Sequence, residues 1–434
     1  MHNDVDVVVV GAGAAGLSAA RTLTRLRKRC IVLEARDRLG GRIASRDLPG
    51  IGAGLELGAE FVHGTPAITL ELLQQAGTTT LEIPNRRFEV RPSTEPGSNS
   101  LTQEEDGFDL ADRLVDRAAR VSEDVSVEAF LETLGDEPQL AASIRWFRLL
   151  VEGFDAADPA RASVRAIAAE WTGPTMSGPQ TRPLGGYAPL VRALARTLDS
   201  EFVAIRLQNV VDEIVWKPGA VRVRGRTRGE RFEVEARSAI ITLPIPLLSR
   251  LRFRPGLDAR KGRAFAGLEM GAVVKVLLCF RTRWWERLGE GEYAGAAFFH
   301  RFESEFPTFW TQAPVAAPVL TAWAGGPRAA RLSGIGEDQI VRRAVASLRE
   351  IFPTAGEARE ELEAAFAADW AADPFALGAY SYVLVGGQGA REDLAAPLES
   401  TLFFAGEATS SEASGTVSGA LESGQRAAEE ACPR

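Results

Sequence analysis

The chain has 434 residues, 45% of them hydrophobic and 25% charged, a globular composition too long for one small core, so two domains are expected. With 58 acidic against 50 basic residues the formal net charge is −8, which argues against a nucleic-acid surface and inclines the protein towards cationic small molecules. Cys30, Cys279 and Cys432 stand apart without CxxC or Cys/His spacing, so neither a disulfide framework nor a metal site is expected, and a reducing, cytoplasmic setting is.

Residues 1–6 hold two acids and no basic stretch, so no secretory leader is expected there, and no apolar run approaches the roughly 20 residues of a membrane span. Residues 5–10 are almost purely β-branched, as in a parallel strand buried on both faces, and the run stops at Gly11. A helix over 14–29 and a second buried strand over 31–34 would complete a strand–helix–strand unit. Between the first strand and the helix stands GAGAAG. Gly11 allows the tight turn, Gly13 lets backbone approach a pyrophosphate, and Gly16 admits close helix–strand packing. The helix N-terminus offers free N–H groups to phosphate, and Glu34 closes the second strand where a ribose hydroxyl would be accepted. The N-terminus thus reads as a dinucleotide-binding fold.

Residues 91–107 have loop composition, and a domain crossing is placed there. Helical periodicity runs over 110–198, broken by Pro159, Pro174, Pro179, Pro183 and Pro189, and β-type alternation over 204–243. The apolar strand 272–280 contains Lys275, one of four lysines with Lys28, Lys217 and Lys261. A buried ammonium is costly unless paired, so Lys275 either points outward from a half-exposed strand or serves a site; the residues alone leave both open. A strand over 401–404, a turn at Gly406 and a helix over 416–430 would pack back on the N-terminal unit.

Arg38-Leu39-Gly40-Gly41-Arg42 adds a second glycine pair between guanidinium groups, where a second phosphate or a longer cofactor chain could pass. EARDRLGGR at 34–42, LELGAEFVHG at 55–64 and FFAGEATSSEASGTVSGALESGQRAAEE at 403–430 closely resemble the flavin amine oxidase family, which includes monoamine oxidases, polyamine and spermine oxidases and lysine-specific histone demethylases. The resemblance implies an α/β (α+β) fold: a Rossmann-like FAD-binding domain from 1–85, 200–250 and 385–434, and a discontinuous substrate domain of mixed sheet and helices from 86–199 and 251–384. It also implies bound FAD, with Gly11, Gly13, Ala15, Gly16, Glu34, Ala35, Arg36, Gly41, Arg42, Gly58, Ala59, Glu60, Phe61, Val211, Pro244, Trp370, Gly406, Glu407, Thr416 and Val417 at flavin-contacting positions. For Glu407 the bland alternative is a simple N-cap or first-turn acid of the last helix.

By the same resemblance, Lys275 matches the lysine that holds a water against flavin N5, and Trp370 and Tyr380 in WAADPFALGAYSY match the tryptophan and the tyrosine that wall the amine channel. Thr416 replaces the second channel tyrosine of monoamine oxidases, as in the histone demethylases and some polyamine oxidases. Ala379 stands where monoamine oxidases carry the flavin-linking cysteine, so non-covalent FAD is expected. His63 matches a histidine near the pocket of polyamine and spermine oxidases; an imidazole capping a turn is the alternative. Glu60, Glu152, Asp155 and Glu170 could line the substrate's way in or be merely solvated.

The implied reaction takes a hydride from the carbon next to a neutral amine nitrogen to flavin N5, hydrolyses the iminium to an aldehyde or ketone, and reoxidises the flavin with O2 to H2O2. The expected partners are a small primary amine or polyamine and O2, with no nucleic acid or membrane, in a cytoplasmic, bacterial monomer or homodimer. Lys275, Trp370 and Tyr380 argue against a protoporphyrinogen oxidase or carotenoid desaturase. An L-amino-acid oxidase and a flavin-binding protein without turnover stay open as alternatives.

Overall fold

In the computed structural model, which describes residues 5–48, 54–92, 99–103, 107–135, 137–173, 178–353 and 360–433, the strand Val7–Val10 lies at the centre of a five-stranded parallel sheet. Its order is Val203–Arg206, Cys30–Leu33, Val7–Val10, Ser238–Ile241 and Leu402–Phe404. The unbroken β-branched run has a direct cause: Val7 and Val9 face a core shared with the helices Ala14–Arg25 and Val417–Ala431, while Val8 and Val10 face a second core against a four-stranded sheet. That second sheet is formed by Glu230–Ala236, Ala220–Thr227, Asn209–Lys217 and Arg252–Arg254.

The first helix ends at Arg25, not at Arg29, because Arg27 adopts φ 53° and turns the chain into the strand that starts at Cys30. The expected loop over 91–107 is also corrected. Arg87–Pro92 and Asn99–Gln103 pair as antiparallel strands at the edge of a seven-stranded sheet, where polar residues and a terminal proline are tolerated. Residues 93–98, which hold most of that loop composition, lie outside the described residues, as do Pro174 and the expectation of no leader over residues 1–4.

The helical stretch is realised as Gly107–Ala119, Val127–Glu132, Ala141–Gly153, Val164–Trp171 and Ala188–Arg196, but Gln180–Pro183 is a strand. It pairs with Val62–His63 and Thr80–Glu82, partners too distant in sequence for a local pattern to reveal. The expected mixed α/β class holds, with parallel and antiparallel sheets in one chain. No helix among the described residues is long and apolar enough to cross a membrane.

The seven-stranded sheet carries Val273–Phe280 next to one edge, between Leu362–Asp369 and Val319–Gly325, and all eight of its residues are buried. Alternation sends Val274, Val276 and Leu278 into a core with Leu348 and Ile351 of the helix Glu337–Ile351, while Lys275 points to the opposite face. On that face Leu277 and Cys279 pack with Leu55, and Val273 with Trp370, so the strand delivers Lys275 to the segment around Gly58.

Candidate active site

One cavity of about 540 Å³ runs from Glu34 and Arg36 to Lys275 and Tyr380. At its first end Gly11 has φ 104°, and an added Cβ would lie 2.5 Å from Thr242 Oγ1. Gly13 and Gly40 form a bridge between the two glycine loops, and a Cβ on Gly41, itself at φ 59°, would come within 3.2 Å of the Gly13 Cα. Gly16 does not line the cavity. A Cβ there would sit 1.9 Å from the Gly11 carbonyl oxygen, so this glycine lets the helix lie on the strand. The helix begins after Gly13 with no side-chain cap, and Gly13, Ala14 and Ala15 line the cavity, so the orphan N–H groups face an open space.

Glu34, 5% exposed, accepts from the Ala12 and Arg36 N–H groups at 2.7 and 2.8 Å and thereby holds the loop. The Arg36 guanidinium forms a bidentate pair with Asp373 at 2.9 and 2.6 Å. Arg42 reaches Glu407 at 2.9 Å. Glu407 also accepts from the Ser381 hydroxyl at 2.7 Å; burial raises its pKa, but Arg42 and Arg391 prevail and hold it below the usual carboxylate value. It opens the short helix Glu407–Thr409, whereas the last helix is capped by Thr416, whose hydroxyl accepts from Gly419 N–H at 3.0 Å. Thr416 therefore lines the cavity with its hydroxyl already engaged.

At the other end Lys275, 1% exposed, donates to Glu60 Oε2 at 2.7 Å and to the Gly58 carbonyl at 3.1 Å. Glu60 takes a further hydrogen bond from Trp310 Nε1 at 3.0 Å and faces Arg182 at 3.4 Å. Burial works to raise its pKa, yet Lys275 and Arg182 together hold the carboxyl below its ordinary value. Trp370 donates to the Leu57 carbonyl at 2.9 Å and Tyr380 to the Phe154 carbonyl at 2.8 Å, which fixes both rings in the cavity wall. Phe61, His63 and Phe154 continue that wall, with the His63 and Phe154 centroids 5.1 Å apart. Burial lowers the His63 pKa to about 4, so its imidazole is neutral near neutral pH. Its Nδ1 has no hydrogen-bond partner among the described residues, so it does not cap a turn through that atom.

Ala35, Gly58, Ala59, Val211, Pro244, Gly406 and Val417 also line the cavity, so every expected site residue except Gly16 does. Of the four acids, Glu60, Asp155 and Glu170 line it; Glu152 does not, and Arg328 engages it at 2.8 Å. Asn209, Thr242, Trp310, Trp323, Phe298 and His300 line it without having been singled out. Trp323 stands directly across from Lys275 in the neighbouring strand, a pairing that only the register discloses.

The glycine cradle, uncapped helix and Glu34 fit the ADP part of FAD, and the space between Arg42 and Lys275 fits the flavin part. A model of the family described as flavin containing amine oxidoreductase matches residues 14–432. The chain belongs to this family. Polyamine oxidase 2 of Arabidopsis thaliana is 29% identical over 98% of this chain and 87% of its own length. Lysine-specific histone demethylase 2 of Homo sapiens is 27% identical over 98% of this chain but 53% of its own.

Among solved structures, wild-type putrescine oxidase bound to putrescine matches with a TM-score of 0.82 at 23% identity, covering 99% of both chains. Cyclohexylamine oxidase from Brevibacterium oxydans matches at 0.79 and 20% identity, over 98% of both. As a flavin-containing amine oxidoreductase the chain takes FAD, and none of its three cysteines, Cys30, Cys279 and Cys432, lines the cavity to form a thioether.

Proposed function

We propose that this flavoenzyme oxidises a small primary amine or polyamine. The proposal includes a flavin domain from 1–85, 200–250 and 385–434, a substrate domain from 86–199 and 251–384, and a cytoplasmic setting. The observation that carries it is the buried Lys275–Glu60 pair set among Trp310, Trp370 and Tyr380 in the same cavity as the dinucleotide cradle. The bound flavin would supply the hydride acceptor, N5, and pass the electrons to O2. Tyr380 and Trp370 would wall the amine: an electron-rich face attracts the cation on arrival, while a desolvated pocket favours the neutral nitrogen that hydride loss requires. Lys275, with Glu60 and Gly58 taking two of its three donors, has one left for a water. Related polyamine oxidases and the putrescine oxidase fold support the substrate class.

The test is the visible spectrum of the purified holoenzyme under anaerobic conditions, before and after putrescine, spermidine, spermine, simple monoamines and L-amino acids are added separately. Bleaching by one amine class supports the reading and selects the substrate. A flavin that none of them bleaches would sink it. A second reading, an L-amino-acid oxidase, draws on Arg87, a cation that lines the cavity with its guanidinium 4.9 Å from the Phe298 ring centroid. Bleaching by L-amino acids alone would select it.

A further inference from the structure

The side chain of Asp155 has no part in the cofactor cradle or the Lys275–Glu60 pair, yet it lines the amine end of the cavity and is 8% exposed. It follows the helix Ala141–Gly153 at a turn where Ala156 adopts φ 53°. Among the described residues its hydrogen-bond donor is the indole N–H of Trp171, 3.0 and 3.3 Å from the two carboxyl oxygens. A carboxylate can accept about four such bonds, so one donor leaves a buried anion poorly satisfied. The preceding carbonyl, that of Phe154, accepts the Tyr380 hydroxyl, which puts the acid beside the aromatic wall.

The charged and titratable groups around it are Glu170 from the helix Val164–Trp171, Arg391 from Ala390–Ala395, and Tyr380. Arg391 is engaged elsewhere, with Glu170 at 2.9 Å and with the Ser381 hydroxyl and carbonyl at 2.7 and 3.0 Å. Burial first, and then Glu170, push the Asp155 pKa well above the ordinary value, with Trp171 and Arg391 acting against them. The site is therefore a carboxyl without a dedicated cation, facing a cavity.

Resting on the amine-oxidase reading, we propose that Asp155 meets the ammonium group of the arriving amine and takes its proton, leaving a neutral nitrogen at the face of Tyr380. An N–H bond breaks, its electron pair stays on nitrogen, and an O–H bond forms on the carboxylate. The ion pair becomes two neutral groups, a change that a water-poor cavity favours. After the substrate has lost its hydride and the cationic iminium has left, the proton passes to solvent and the carboxylate is restored. A base whose proton affinity has been raised by burial is better matched to an amine than an exposed aspartate would be.

The test is anaerobic stopped-flow reduction of the holoenzyme by the amine that bleaches the wild type. Asp155→Asn should keep its FAD spectrum and lose roughly 100-fold or more of the limiting reduction rate, the usual range for removing a positioned base. The wild-type rate should rise with pH through the Asp155 titration, and the variant should lack that limb. Asp155→Glu should restore part of the rate with the limb displaced. An Asn variant that holds FAD and is reduced at the wild-type rate with the same pH profile overturns the inference. If the Asn variant does not fold, an unchanged limb in Asp155→Glu overturns it equally. A wild type reduced by no amine is a different result, which defeats the amine-oxidase reading itself.

Discussion

Lys275 shows how one residue's meaning depends on its partner. Its strand sequence left open an outward, half-exposed lysine, but burial to 1% with Glu60 at 2.7 Å makes it half of an enclosed ion pair. Glu60→Gln leaves the buried Lys275 without its carboxylate and should lower stability by about 3–5 kcal/mol, as read from denaturant unfolding. Lys275→Met leaves Glu60 its second cation, Arg182 at 3.4 Å, and should cost less while slowing flavin reduction. Lys275→Met combined with Glu60→Gln should cost less than the sum of the two single changes, because the double variant no longer holds a buried Lys275 ammonium without its carboxylate. Purely additive losses would count against the pair.

His63 gives a residue-scale prediction about pH. Its pKa is depressed from the ordinary 6.5 to about 4 by burial, so the unfolded chain binds a proton in that window that the fold refuses. The contribution is complete above pH 6.5 and is lost as pH falls towards about 4. Urea midpoints at pH 7 and pH 4.5 should therefore converge more in His63→Phe than in the wild type. Equal pH dependence in the two proteins would show that the imidazole titrates normally in the fold.

At the scale of elements, the nucleotide-binding unit was legible because every local signal agreed: a β-branched strand, three glycines at fixed spacing, then a helix. Gly16 and Gly424 show why small residues recur there. A Cβ on Gly16 would lie 1.9 Å from the Gly11 carbonyl oxygen, and one on Gly424 2.0 Å from that of Ala15. Gly16→Ala should lift the first helix from its strand, costing about 1–3 kcal/mol, and should release FAD on gel filtration. Gly77→Ala is a less suitable control because φ is 72° there, whereas Gly262→Ala meets no atom within 4 Å and should retain cofactor.

The elements that escaped the sequence reading share a cause. Arg87–Pro92, Asn99–Gln103 and Gln180–Pro183 are short, and their partners lie far away or at a sheet edge. Asn99–Gln103 and Gln180–Pro183 owe their strand character to backbone pairing, whereas Arg87–Pro92 does alternate, burying Phe88 and Val90, over a run too short to stand out beside the loop composition that follows it.

At the scale of the whole molecule, the cavity joins loops from both ends of the chain to a strand from its middle. Because cysteine is absent from its lining, acid or detergent denaturation should release all the flavin into the supernatant, with none left on the precipitated protein. Apoprotein prepared by removing FAD should melt lower than the holoenzyme, by an amount that disappears as FAD is added back, since a ligand bound only by the fold stabilises it by mass action.

The sequence by itself determined the dinucleotide cradle, the flavin amine oxidase family and the residue types of the aromatic wall, because these reside in contiguous motifs with fixed spacing. Tertiary structure decided that Lys275 faces Glu60, that Glu152 pairs with Arg328 outside the cavity while Asp155 lies inside it, and that Trp310 and Trp323 join the wall. The reason is physical. A motif records how the chain bends locally, whereas the environment of a charge depends on which face of a strand or turn it occupies and on groups hundreds of residues away that burial brings within a hydrogen bond's length.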